Sequence, residues 1–249
     1  MEKISAIIIT YNEEDNIETC ISSLKEISDE ILVIDSKSKD RTRYLAQKLG
    51  ATVVETEWRG YSDTKNFGNS IAKNDWILSI DADEVVSKEL ATNIQQLKFS
   101  VGHVYALDRL TNFCGKWIRH SGWYPEWKVR LFNKKTSQWE GEFVHESLHH
   151  STVVQVKKLE GKLLHYSYKT LDDHLERIER YASLSAYEMQ SKGKKSSFLK
   201  LWISPAFRFF KTYFIKLGFL DGKAGWIISK RNAWLVHLKY RILKDLTRQ

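Results

Sequence analysis

Four short apolar runs rich in β-branched residues, Ile4–Thr10, Ile31–Asp35, Thr52–Glu55 and Trp76–Ile80, alternate with stretches of helical spacing, and this alternation constrains the chain more than anything else in it. Continuous apolar runs this short fit strands buried on both faces, so they predict a parallel sheet covered by helices. Asn16–Leu24 supplies the first helix. Residues 41–49 supply the second, with Asp40 placed to cap it and Gly50 to end it, and a third is expected near 61–72. Beyond about residue 100 the rhythm changes, and Val104–Leu110, Lys128–Phe132 and Leu163–Tyr168 read as strands of a mixed extension, separated by polar, tryptophan-rich loops. Residues 171–190 put Leu171, Leu175, Ile178, Ala182 and Ser185 on one helical face. Lys192–Ser197 reads as a linker. Two apolar, basic segments follow, 198–217 and 224–246, broken by Gly218-Phe219-Leu220-Asp221-Gly222.

The net charge of +8 is unevenly spread. Residues 192–249 hold 14 Lys/Arg against two acids, which leaves residues 1–191 with a net −4. A basic, aromatic tail on an acidic body points to a polyanionic surface as partner, lipid or nucleic acid. The tail lacks any recognised nucleic-acid module, and the acids of the body would repel a phosphate chain, so the expectation is an anionic membrane and no nucleic acid. Cys20 and Cys114 frame neither a disulfide scaffold nor a zinc site. The N-terminus lacks the basic start and cleavage site of a signal peptide, and no apolar run approaches the roughly 18 residues that a spanning helix needs. A cytoplasmic protein, at the inner face of the membrane, is expected.

Ligands of open α/β sheets bind beyond the carboxyl ends of the strands. Three polar clusters fall there: Thr10–Glu13, Asp35–Asp40 and Asp81–Glu84. Any one of them also reads as a helix cap, Asp40 most readily. Asp81 and Asp83, two residues apart, suit Mg²⁺ or Mn²⁺, which takes one or two carboxylates and fills its remaining positions with phosphate oxygens and water. Neither GxxxxGK[ST] nor GxGxxG occurs, so the metal must neutralise the phosphates that no glycine loop cradles.

Ile7-Ile8-Ile9-Thr10-Tyr11-Asn12-Glu13, Val33-Ile34-Asp35-Ser36 with Ser38 and Asp40, and Asp81-Ala82-Asp83-Glu84 together resemble family 2 glycosyltransferases of the GT-A fold, over about residues 1–135. Arg130-Leu131-Phe132, Val144-His145-Glu146 and the Gly218–Gly222 segment resemble the branch that adds β-glucose to lipopolysaccharide core. The resemblance implies a GT-A catalytic domain over 1–170, with a nucleotide-sugar half (1–112) and an acceptor half (113–170), followed by a basic, aromatic helical region over 171–249. It implies that Thr10, Tyr11, Asn12, Glu13 and Ser36 line the nucleoside pocket, that Asp35 binds a uracil-type base, that Asp81 lies near ribose or metal, and that Asp83 ligates the metal. UDP-glucose and a lipopolysaccharide inner-core or related glycolipid would be the substrates.

Inverting transfer needs a general base for the acceptor hydroxyl. Glu126, Glu140, Glu142 and Glu146 are the candidates, with Glu146 favoured; its bland reading is that it only orients His145. Lys65 reads equally as a diphosphate or base contact or as a solvated helix lysine. His165 is a candidate third ligand or a hydrogen-bonded structural residue. Trp117, Trp123, Trp127 and Trp139 are acceptor-stacking or core residues. Two other classes stay open: a nucleotidyltransferase, against which Thr10-Tyr11-Asn12-Glu13-Glu14 speaks because it lacks glycine, and a non-catalytic basic binding protein, which would not need Asp81 and Asp83.

Overall fold

The computed structural model describes residues 2–141 and 146–247. The chain divides into two compact units, residues 1–109 with 126–165, and 110–125 with 166–249.

The first unit opens β1 (Ile4–Thr10), α1 (Ile17–Leu24), β2 (Glu30–Asp35), α2 (Thr42–Lys48), β3 (Thr52–Glu55), α3 (Tyr61–Ile71) and β4 (Trp76–Asp81), the expected alternation. It continues with β5 (Glu84–Val86), α4 (Lys88–Gln95), β6 (His103–Phe113), β7 (Lys116–Trp117), β8 (Glu126–Asn133), β9 (Ser137–Glu140), β10 (Ser147–His150) and β11 (Gln155–Tyr168), of which β7 and the ends of β6 and β11 belong to the second unit. The sheet order is β3-β2-β1-β4-β8-β6-β11-β5, with β7 beside β6; β9 and β10 form a separate hairpin. Strands β1 to β4 pair parallel and β8 joins β4 antiparallel, so the sheet is mixed, as the change of rhythm predicts. Every residue of β1 is buried, and Ile8, Ile17, Ile21, Val33 and Leu78 are fully so, forming one face of the core. On the other face α3 lies close: a Cβ at Gly68 would stand 2.5 Å from Ile7 Cγ2 and 3.0 Å from Ile34 Cγ1, so only glycine admits this approach. The residue heading α2 is Arg41 rather than Asp40, yet the Asp40 carboxylate still accepts the Thr42 N–H at 3.0 Å and the Glu14 N–H at 3.1 Å.

In the second unit α5 (Leu171–Ser191) starts at a capping box between Thr170 and Asp173, and α6 (Phe198–Phe210) and α7 (Gly222–Leu246) flank a short break. The buried face of α5 is His174, Ile178, Ala182 and Ala186, rotated from the expected one; Leu171, at the helix start, is exposed. The Gly218–Gly222 segment is architectural. Buried Asp221 accepts the N–H groups of Arg119 and His120, each at 3.1 Å, and the Ser121 hydroxyl at 3.0 Å. Phe113, Ile118 and Ile228 make the unit's small core.

His174 stands edge-on to Phe113 and Tyr168, with ring centroids 4.9 and 4.6 Å away. Burial, with help from the Arg231 and Arg177 charges, pushes its imidazole down to about 4. The folded state therefore keeps His174 neutral while the unfolded chain protonates near 6.5, so stability is full above pH 6.5 and falls toward pH 4. The expected loss between pH 7.5 and pH 5 is about 2 kcal/mol, growing to about 3 kcal/mol below pH 4. Urea unfolding at pH 7.5 and pH 5 will show it, and in His174→Phe the difference will shrink.

Candidate functional site

Parallel pairing puts the clusters side by side: Thr10 lies opposite Asp35, and Ile9 opposite Asp81. Past β1 the chain turns sharply, and Asn12 takes φ +53°, a left-handed conformation that asparagine tolerates better than most residues. The turn is tied to the next strand end. Asn12 donates its N–H to Ser38 Oγ at 2.9 Å, its own Oδ1 accepts the Lys39 N–H at 2.8 Å, and the Glu13 N–H donates to Thr42 Oγ1 at 2.8 Å. Asp35 is wholly buried, with both oxygens engaged by Ser38 and Arg43 3.8 Å away. Buried Thr10 Oγ1 and Ser36 Oγ have no hydrogen-bond partner among the described residues, while Tyr11 is exposed. Unsatisfied hydroxyls beside an exposed ring are what a bound polar ligand would complete.

Asp81 and Asp83 diverge. Burial works against the Asp81 carboxylate, but Arg130 and Lys65 outweigh it and hold its pKa far below the usual range. Arg130 Nη2 reaches both Asp81 Oδ2, at 2.5 Å, and the buried Glu84, at 2.6 Å. Asp81 Oδ1 sits 3.3 Å from Lys65 Nζ but lacks hydrogen-bond alignment with it. Asp83 Oδ2 instead lies 3.2 Å from His165 Nε2, brought over by the antiparallel pairing of β11 with β5. The two side chains offer one oxygen and one nitrogen donor, of the kinds that Mn²⁺ accepts, while no group of three His, Cys, Asp or Glu among the described residues could hold a metal ion.

Lys65 is no solvated helix lysine. It is 1% exposed, 3.1 Å from Glu146 Oε1 and 4.7 Å from the Trp139 ring centre. Asn66, its neighbour on α3, holds both the N–H and the C=O of Trp139, at 2.9 and 2.8 Å. Glu146 and Asp81 border one polar cavity of about 360 Å³, together with Arg109, Trp127, Lys128 and Trp139. Burial pushes the Glu126 carboxyl up, but Arg109, bonded to both its oxygens at 2.8 and 2.9 Å, and Lys128 hold it below its ordinary value. That makes Glu126 a poor base. Glu140 is exposed on β9. Glu142, Val144 and His145 lie outside the described residues.

Of the tryptophans, Trp127 and Trp139 border the cavity, Trp123 packs at the second unit's core, and Trp117 stands against Tyr166. The sequence reading missed Arg109 and Asn66, and met Arg130 only within a motif. A charge among Val129, Leu131 and Phe132 was the signal for Arg130, because a buried arginine requires acidic partners.

Residues 5–161 match the model of glycosyl transferase family 2. An uncharacterized glycosyltransferase of Rickettsia bellii is 34% identical over 264 residues, spanning 100% of this chain and 88% of that protein. Lipopolysaccharide core biosynthesis glycosyltransferase LpsC of Rhizobium meliloti is 27% identical over 238 residues, 92% of this chain and 87% of its own. Among solved structures, glucosyl-3-phosphoglycerate synthase of Mycobacterium tuberculosis, in complex with Mn²⁺ and UDP, aligns over 45% of this chain and 44% of its own with a TM-score of 0.36 and 23% identity.

Proposed function

The chain belongs to glycosyltransferase family 2, and from that premise we propose that it is an inverting, metal-dependent hexosyltransferase, moving glucose from UDP-glucose onto a lipopolysaccharide inner-core or related envelope glycolipid. Family membership sets aside the nucleotidyltransferase and the non-catalytic binding protein. The LpsC likeness supports the acceptor class. The observation that carries the reading is the convergence of Asp83 with His165 and of Lys65 with Asp81 and Glu146 beyond the ends of β1, β2 and β4.

In this reading Thr10, Tyr11, Asn12, Glu13 and Ser36 receive the nucleoside, with Asp35 on the base and Asp81 toward the ribose. Asp83 and His165 would hold the divalent ion, which when bound neutralises charge on the departing diphosphate. Lys65 supplies a point charge to the same diphosphate. Glu146 takes the acceptor hydroxyl proton as that oxygen bonds to the anomeric carbon and the carbon–diphosphate bond breaks, so a single displacement inverts the centre. The basic, aromatic helical region supports peripheral contact with the anionic membrane face that bears the acceptor; no helix among the described residues is long and apolar enough to cross a membrane.

Calorimetric titration of UDP into the protein tests the donor site. Binding is expected with Mn²⁺ or Mg²⁺ and is expected to be lost with chelator. No binding under any metal condition would refute the donor assignment.

A further inference from the structure

Residues 192–220 contain seven Lys/Arg, all exposed, and no acid. Within them α6 buries none of its 13 residues. Leu199, Ile203, Phe207 and Phe210 on α6, with Phe214 one turn beyond, are spaced by 4, 4, 3 and 4 residues. That spacing is one stripe of a helical surface, and its members are 49–61% exposed. Apolar exposure runs on past the stripe, to Phe198 and Trp202 on α6, to Leu217, Phe219 and Leu220 in the following turn, and to Trp226 and Trp234 on α7. Trp202, Trp226 and Trp234 also line an open, largely apolar groove of about 730 Å³, which Lys230 and Arg231 border.

So many large apolar side chains exposed on one short stretch of chain mark an interaction surface. Charge selects the occupant. Lys200, Arg208, Lys211 and Lys216 interleave with the stripe, so whatever covers it carries negative charge beside apolar matter. Nucleic acid offers the charge, and bases that stack on Phe207, Phe210 and Phe214, but it leaves Leu199 and Ile203 wet. A second copy of this surface would set cations against cations. An anionic bilayer offers both, phosphates at the headgroup plane and acyl chains just beneath, and indoles favour that boundary.

We propose that α6 is an interfacial docking helix: it lies in the plane of an anionic membrane, with the Leu199–Phe214 stripe in the headgroup–acyl boundary and its cations among the lipid phosphates. This deepens the membrane contact of the proposed function by naming the surface that makes it.

The test is co-sedimentation of the full chain with vesicles of phosphatidylcholine alone and of phosphatidylcholine with about a third phosphatidylglycerol. Binding is expected only to the anionic vesicles and weakens as salt rises. Ile203→Asp with Phe207→Asp, both exposed and so compatible with folding, is expected to reduce partitioning at least ~10-fold. Charge reversal at Lys200, Arg208 and Lys211 is expected to do the same. UDP calorimetry on each variant should match the wild type. Absent or charge-indifferent binding by the wild type, or undiminished binding by the double variant, would overturn the docking helix. So would a stripe that instead mediates concentration-dependent self-association or binds RNA oligonucleotides in preference to vesicles. Failure of UDP binding with vesicle binding intact would strike the donor site alone.

Discussion

In Asp83→Ala, metal-assisted UDP binding is expected to fall to the level seen with chelator, and kcat/KM by about 10³-fold, with thermal unfolding close to wild type. Asp83 lies in the tight turn after β4, is half-buried and meets the His165 side chain of β11, so its removal takes a ligand without opening the core. A divalent ion contributes several kcal/mol of charge stabilisation in such a transfer, and about 4 kcal/mol corresponds to that loss. Asp81→Ala provides the contrast. Its carboxylate lies between Arg130 and Lys65, both buried, and deleting it leaves Arg130 to Glu84 and Lys65 to Glu146 alone, which costs roughly 1–3 kcal/mol of stability. Calorimetry with Mn²⁺ and a melting curve on each variant separate ligand from structural anchor. Metal-dependent UDP binding that persists in Asp83→Ala would move the metal elsewhere.

Glu146→Gln is expected to keep UDP affinity within about twofold and to lower kcat by 10²- to 10⁴-fold, about the range that a positioned general base supplies. The amide keeps the shape of the side chain and an oxygen for Lys65, which stands 3.1 Å from the carboxylate, but it cannot accept the acceptor's proton. Glu126→Gln serves as the control. Its carboxylate is bound at both oxygens by Arg109, so the expected effect is on stability and not on the protonation step. Full turnover in Glu146→Gln would sink the assignment and turn attention to Glu140 or Glu142.

The sequence by itself determined the positions of β1 to β4 and the identity of the polar clusters at their ends, because a strand buried on both faces must be a continuous apolar run and its end is where polarity returns. The break between α6 and α7 was legible for a similar reason: glycines at 218 and 222 enclose an aspartate, though only the structure shows that Asp221 faces the backbone of residues 119–121. The turn of α5 was read wrongly at its start, since Leu171 and His174 compete for the same face and the aromatic pocket of Phe113 and Tyr168 selects the histidine. The contacts of the site were decided by tertiary structure alone. Lys65 meets Glu146 across 81 positions, Arg130 meets Asp81 across 49, and His165 reaches Asp83 only because β11 lies beside β5. Periodicity reports which face of an element is buried; it carries no information about which strand becomes whose neighbour. Until that order is fixed, a buried lysine and a solvated one look the same in the sequence.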